Sequence, residues 1–155
     1  MLRSDRVART RACSQCGALD DALVAALAAG SPHLDLLNLT DCKLLRSPRL
    51  DCSALRTLHL YNCVHLLAAS VVCPSLELLN LTHCAELASL QISCPKLGTL
   101  LCGGCKRLPD AALRAAVDTC RALHTCDIKG CDLLSDATLA ALETQLGKRH
   151  AWGAC

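Results

Sequence analysis

The residue type best suited to chemistry in this chain is cysteine, which occurs 14 times in 155 residues. Two pairs, Cys13-Ser-Gln-Cys16 and Cys102-Gly-Gly-Cys105, have the spacing of zinc sites in which paired cysteines bind the metal tetrahedrally. His124 lies two residues before Cys126, which would suit a base and a thiol nucleophile. These features raise two alternatives, a zinc or redox protein and a thiol enzyme.

The spacing of the surrounding residues gives most of the cysteines another explanation. The pattern L-x-x-L-x-L-x-x-C begins at Leu34, Leu55, Leu76, Leu97 and Leu123, which we number as position one of each unit. The cysteines at position nine are Cys42, Cys63, Cys84, Cys105 and Cys131, so both series advance by 21, 21, 21 and 26 residues. Cys16 lies 26 residues before Cys42 and marks a degenerate first unit. We predict that these six cysteines form a structural ladder of reduced core residues rather than metal ligands.

The same spacing predicts how each unit folds. In an extended L-x-x-L-x-L segment, side chains alternate between faces, so the leucines at positions four and six point inward. Stacked units give each inward leucine apolar partners above and below. We therefore predict an α/β solenoid, a right-handed leucine-rich-repeat horseshoe with short parallel strands on its concave face. On the convex face we expect extended segments in the middle and helices at the ends.

The repeat also predicts a single domain with defined boundaries. Residues 1–33 are expected to form a degenerate repeat or cap, with one helix at about 20–29. Its strand positions hold Ala8, Arg11 and Cys13 instead of leucines, which indicates a weak or missing strand. Five repeats follow at 34–54, 55–75, 76–96, 97–122 and 123–155.

Glycine, proline and serine mark where the outer segments begin and end. Gly30 is placed as the C-terminal cap of the first helix. Pro48 argues against a regular central strand in the first full repeat. Pro109 and Ser135 suit the starts of two further helices, and Gly147 suits the end of the second.

Charge and hydropathy exclude several classes of protein. Sixteen basic and 14 acidic residues leave a formal charge of +2, too small for the phosphate-neutralising surface of a nucleic-acid binder. No apolar run approaches the roughly 18 residues of a membrane span, and the start lacks the apolar region of a secretory signal. We expect a cytoplasmic or nuclear protein with no nucleic-acid or membrane partner, no metal, no cofactor and no catalytic residues.

A family resemblance rests on the segments LNLTDC, LHLYNC and LNLTHC, each ending on a ladder cysteine, and on the recurring motif C-P-x-L. These motifs resemble the cysteine-containing leucine-rich repeats of F-box/LRR proteins and of the related antagonist-of-mitotic-exit type. The resemblance runs from Cys16 to about Leu146 and implies substrate recognition for an SCF-type ubiquitin ligase. In that family an F-box connects the repeats to Skp1 and a cullin, and nothing in residues 1–33 resembles an F-box. The alternative is a leucine-rich-repeat scaffold or regulator with no ubiquitin role.

The candidate binding residues occupy positions three, five and seven, which face outward from the predicted strands. A tyrosine, a histidine, two asparagines and exposed leucines make a mixture that suits a protein partner, although solvation alone would also explain the polar members. The predicted partner-binding residues are Leu36, Asn38, Thr40, Thr57, His59, Tyr61, Leu78, Asn80, Thr82, Leu101, Asp127 and Lys129, and Thr99, Gly103 and Thr125 complete the rows.

Overall fold

The leucines at positions one, four and six of the full units are buried, and the chain winds around them as a parallel-strand solenoid. The computed structural model describes residues 9–146. Within that range the strands are β1 (Thr10–Ala12), β2 (Leu36–Asn38), β3 (Arg49–Asp51), β4 (Thr57–His59), β5 (Ala68–Val72), β6 (Leu78–Asn80), β7 (Ser89–Ile92), β8 (Thr99–Leu101) and β9 (Thr125–Asp127). The helices are α1 (Asp21–Ala29), α2 (Asp110–Thr119) and α3 (Asp136–Leu146).

One sheet contains the first strand of each unit, in the order β1-β2-β4-β6-β8-β9, with every neighbouring pair parallel. The register preserves repeat position, so that Leu37 pairs with Leu58 and Leu58 with Leu79. Equivalent residues therefore lie in straight rows across the sheet. This arrangement confirms the predicted stacking of parallel strands.

The core lies directly behind this sheet. Leu37, Leu58 and Leu79 are 0% exposed, whereas the residues on either side of each are half-buried. The predicted inward direction of these leucines is confirmed. Burial of one such side chain contributes about 1.5–3 kcal/mol, and stacking supplies that burial because each layer covers the next.

A second parallel sheet, in the order β3-β5-β7, packs against the same core from the other side. Its strands belong to the three 21-residue units and confirm the extended outer segments predicted there. Pro48 immediately precedes β3, which lies at the edge of this sheet, and its carbonyl accepts the Ser70 N–H at 3.1 Å. The strand therefore begins after the residue that cannot donate.

The helices flank this three-stranded sheet: α1 packs against β3, and α2 packs against β7 and α3. Asp20 starts α1, because its carboxylate accepts the Leu23 N–H at 2.9 Å. Ser135 plays a weaker form of this role for α3, its hydroxyl accepting the Thr138 N–H at 3.4 Å. Gly30 is the C-terminal cap of α1, as predicted; its φ is −79°, and its N–H donates to the Ala26 carbonyl.

The first strand differs from the sequence-based expectation of a weak or missing one. β1 is present and pairs with β2 over three residues, including Arg11 with Leu37. All three β1 side chains are exposed, Arg11 among them. Backbone hydrogen bonds hold the strand at the sheet edge, and these bonds do not require a leucine at position four.

Two of the expected features, Ala8 at a strand position and Gly147 at the end of the last helix, lie outside the described residues. Among residues 9–146, no helix has the length and apolar character needed to cross a bilayer.

Candidate interaction face

The solvent-facing surface of the six-stranded sheet, which we call the outer face, carries the residues predicted to bind a partner. Position three forms the row Leu36, Thr57, Leu78, Thr99, Thr125, and position five forms the row Asn38, His59, Asn80, Leu101, Asp127. Position seven adds Thr40, Tyr61, Thr82, Gly103 and Lys129, just beyond the strand ends. The structure thus places the predicted residues on one surface, with the members of the strands half-buried.

Several polar residues on this face have a local structural role. The side-chain oxygens of Asn38 and Asn80 accept the N–H groups of Thr40 and Thr82, at 3.0 and 2.9 Å. Asp127 does the same for the residue two positions later, at 3.0 Å. These Asx turns end the strands, so part of the polarity in row five belongs to the fold. His59 and Leu101 lie in the same row but have no side-chain carbonyl or carboxylate oxygen, so they do not form an Asx turn.

Tyr61 is the most distinctive side chain of the outer face. It is 37% exposed, and its ring meets that of His83 edge to face, with centroids 5.5 Å apart and an interplanar angle of 74°. Such a contact contributes about 0.5–1.5 kcal/mol beyond the area buried. His83 was not among the predicted residues, because it occupies position eight. Stacking places position eight of one unit beside position seven of the preceding unit. The repeat numbering could therefore have predicted that His83 lies next to Tyr61.

The turn after each strand explains how position eight comes to lie there. Asp41, Asn62 and His83 have φ values of 60°, 57° and 64°, and glycines occupy this position in the next two units. In the four of these turns that a further unit follows, the position-eight N–H donates to the position-seven carbonyl of that unit, as His83 does to Gly103 at 2.7 Å. The left-handed residue therefore continues the ladder of interunit hydrogen bonds beyond the strand end.

Five of the six cysteines predicted to form the ladder share a specific bonding pattern. Each position-nine thiol donates to the position-six carbonyl of the preceding unit: Cys63 to Leu39 at 3.2 Å and Cys84 to Leu60 at 3.1 Å are central examples. The same bond joins Cys42 to Cys13, Cys105 to Leu81 and Cys131 to Cys102, at 3.1–3.2 Å. Cys16, the first member of the predicted ladder, is half-buried.

Burial favours the protonated thiol at four positions of the ladder, whereas the hydrogen bond with the Cys102 thiol lowers the pKa of Cys105. Burial raises the pKa of Cys63 and of Cys131 to about 12, and it also raises the pKa of Cys42 and Cys84. Because the thiolate is the reactive form, ladder cysteines of this kind are poor nucleophiles. All 13 described cysteines are free thiols.

The two cysteine pairs with zinc-like spacing lie in different parts of the solenoid. Cys13 and Cys16 belong to the first layer and are half-buried, whereas Cys102 and Cys105 belong to the fourth full unit and are buried. Their thiols occupy positions six and nine in both units. Among residues 9–146, no group of three or more His, Cys, Asp or Glu side chains has an arrangement that could hold a metal ion.

The structure separates the histidine and cysteine considered as a base and nucleophile. Cys126 is 3% exposed within the core, and burial raises its pKa to about 12. His124 is exposed, and its Nδ1 lies 3.1 Å from the Thr125 hydroxyl. A substrate at the imidazole would not reach the thiol.

Comparison of the chain with protein-family models and with curated protein sequences gives no match. Function is therefore inferred from the solenoid and from the chemistry of its surfaces.

Proposed function

We propose that this chain is a leucine-rich-repeat protein of the horseshoe type and that its outer face is concave and binds another protein. The supporting observation is Tyr61, an exposed ring held in place by His83 among half-buried leucines of the same face. Aromatic side chains of this kind dominate binding energy at protein interfaces. Fixing the ring before association reduces the entropy lost on binding.

The chemistry of the rows supports a protein rather than another class of ligand. Leu36 and Leu78 stand on either side of Thr57 in row three, and Leu101 follows Asn80 in row five. An apolar patch interrupted by hydroxyl and amide groups resembles the centre of a protein–protein interface. No catalytic role is proposed, because the surface combines binding groups without a paired nucleophile and base.

The experiment places a photo-crosslinking phenylalanine analogue, which keeps an aromatic ring, at residue 61 and, in a second protein, at Gln91 on the exposed side of the three-stranded sheet. Both proteins are irradiated in cell extract, and the crosslinked proteins are identified by mass spectrometry. We expect a specific product from residue 61 that is absent from residue 91. Equal products from both positions would mean that the outer face is not the binding surface.

A quantitative test uses the crosslinked protein once it has been purified. Tyr61→Ala should weaken its binding by about 2 kcal/mol, or roughly 30-fold, while Gln91→Ala leaves the affinity unchanged. Thermal melts of both variants establish that they fold. Unchanged affinity in a folded Tyr61→Ala protein would contradict the proposed site.

The same experiment separates the two cellular roles. A Skp1-type adaptor or a cullin that is recovered with the chain from both extracts, alongside the product specific to residue 61, would extend the proposal to substrate recognition by an SCF-type ubiquitin ligase. A partner recovered without ligase components would assign the chain as a repeat scaffold or regulator.

A further inference from the structure

A polar pocket lies beside the outer face, where strands β4, β6, β8 and β9 begin. Its volume is about 500 Å³. Its lining combines one carboxylate, one amine, one imidazole and two hydroxyl groups; the residues are Thr57, Glu77, Leu78, Lys96, Gly98, Thr99, Ala122 and His124. We call this site the rim pocket.

One part of the pocket lining depends on a glycine that makes room for the His124 ring. Position two holds Arg56, Glu77 and His124 in three of the units, and Gly98 stands between the last two. A Cβ atom at Gly98 would lie 2.7 Å from His124 Nε2 and 3.2 Å from its Cδ2. The backbone of Gly98 is not in the left-handed region. Space, rather than backbone conformation, is therefore what this glycine provides.

The orientation of His124 leaves one ring nitrogen for a ligand. Nδ1 lies 3.1 Å from the Thr125 hydroxyl, and the Nε2 side of the ring lies over Gly98 on the pocket floor. A hydroxyl that accepts from Nδ1–H leaves Nε2 as an acceptor in the neutral ring, while the protonated ring donates from both nitrogens. When the Thr125 hydroxyl donates to Nδ1 instead, the neutral ring carries its proton on Nε2, which can then donate to an anion in the pocket.

The charge balance of the pocket favours an anion. Glu77 is already neutralised, since its Oε1 accepts from Arg56 Nε at 3.0 Å and from Arg56 Nη2 at 2.8 Å. Lys96 has no ion pair or hydrogen bond from its side chain within residues 9–146. Among the charged residues that line the pocket, Lys96 is therefore the one without an ion pair, and the Thr57 and Thr99 hydroxyls are additional donors in the same lining.

We propose that the rim pocket binds a carboxylate group of the protein partner, with Lys96 as its counter-ion and His124 and Thr99 as hydrogen-bonding groups. This inference rests on the proposed function, because Thr57, Leu78 and Thr99 belong both to the outer face and to the pocket. Charge-assisted hydrogen bonds to a carboxylate are stronger than neutral ones, and they fix the register of a bound segment.

The test titrates the full chain with small carboxylates and follows backbone amides by NMR. The probes are N-acetylglutamate α-amide for an acidic side chain, N-acetylglycine for a chain terminus, and N-acetylglutamine α-amide as a neutral control. We expect saturable shifts at Gly98, Thr99 and Thr125 with one or both carboxylates and none with the neutral amide. Equal shifts with the neutral amide would overturn the inference, as would tighter binding of inorganic phosphate than of either carboxylate.

Three variants assign the binding to the pocket. Lys96→Glu should weaken the carboxylate at least about tenfold through loss of the charge-assisted contact. Gly98→Val should abolish binding by displacing the His124 ring and filling part of the pocket while Lys96 remains, with a thermal melt to establish that the variant folds. Lys43→Glu, an exposed lysine at the turn after β2, makes the same charge change elsewhere and should leave binding unchanged. Equal losses in Lys43→Glu and Lys96→Glu would show a nonspecific charge effect and overturn the inference.

The titration distinguishes this inference from the proposed function because it contains no protein partner. Crosslinking at residue 61 together with failed carboxylate binding would retain the outer face and reject the rim pocket. Carboxylate binding without a crosslinked partner would retain the pocket and reject the outer face.

Discussion

At the scale of single residues, the left-handed turn at position eight connects the fold to the candidate face. Gly104 adopts φ +75° and Gly130 adopts φ +73°, where the preceding units use Asp41, Asn62 and His83. Asparagine and aspartate tolerate this conformation better than most residues, and histidine is also enriched there. Gly104 has a further constraint, because a Cβ atom there would lie 2.7 Å from His83 Nδ1, whose ring supports Tyr61.

These two glycines give a matched pair of variants. Gly130→Ala should lower the free energy of unfolding by about 1–2 kcal/mol, since only the left-handed conformation is penalised. Gly104→Ala should cost more, because it also displaces the His83 ring. Urea denaturation measures the free energy of unfolding of both variants. In a protein that already carries His83→Ala, Gly104→Ala should cost no more than Gly130→Ala does in the wild type. Equal costs for the two single variants would show that His83 gives way without penalty.

At the scale of elements, aspartates in the first turns of α1 and α2 tie each helix to the next layer. The Asp21 carboxylate accepts the N–H groups of Arg46 and Ser47, at 3.1 and 2.8 Å. Asp110 accepts the N–H of Ser135 at 2.8 Å. Arg46 lies 25 residues after Asp21, and Ser135 lies 25 residues after Asp110. Each aspartate therefore connects a 26-residue unit to the unit that follows it.

The hydrogen bonds from Ser135 lower the pKa of Asp110. A carboxyl whose pKa is lowered by folding stabilises the folded state above its unfolded pKa of about 3.9, and the effect is lost as pH falls through the folded value. Asp110→Asn should therefore reduce Tm at pH 7, and the difference from wild type should disappear as pH falls towards 2. Asp136→Asn, at the equivalent position of α3, is the control and should show a smaller change at pH 7. A Tm difference for Asp110→Asn that persists at pH 2 would contradict the role of the charge.

Residue spacing predicted most of the elements but little of the chemistry between layers. The helix expected at about 20–29 is found at Asp21–Ala29, and the outer segments of the 21-residue units are extended as expected. β1 was underestimated because its stability comes from the edge of β2, not from its own side chains. The Tyr61–His83 contact and the space above Gly98 arise between residues of neighbouring units. Periodicity predicts which positions meet, but not how two particular side chains orient.

At the scale of the whole molecule, buried thiols run through successive layers of the solenoid. Besides the position-nine ladder, a second series of cysteines lies on the side of the three-stranded sheet. It includes Cys73 and Cys94, whose thiols donate to the carbonyls of Leu50 and Val71 at 3.8 and 3.5 Å. Burial raises the pKa of Cys94 to about 11. The core therefore contains many buried thiols that must stay protonated. The stability of the fold consequently depends on pH in the range in which free thiols ionise.

Alkaline pH should consequently destabilise the molecule as a unit. Thiols in the unfolded chain ionise near pH 9, while burial raises the folded pKa of Cys63 and Cys126 to about 12 and that of Cys94 to about 11. Below pH 8 both states are protonated and stability is unaffected; above pH 9 the unfolded chain releases protons that the folded chain retains, so stability falls with rising pH. Each thiol contributes up to about 1.4 kcal/mol per pH unit.

These three thiols alone should then remove about 4 kcal/mol per pH unit once the unfolded chain is ionised, a large share of a typical stability of 5–15 kcal/mol. Urea midpoints measured in reductant from pH 7 to 10.5 should be level to about pH 8 and then drop steeply. Cys63→Val keeps an apolar side chain at this position and removes one ionising group, so it should reduce the alkaline slope by about 1.4 kcal/mol per pH unit whatever its effect at pH 7. A wild-type profile that stays level to pH 10.5, or a Cys63→Val slope equal to that of wild type, would mean that these thiols ionise equally in both states and that the solenoid does not shield them.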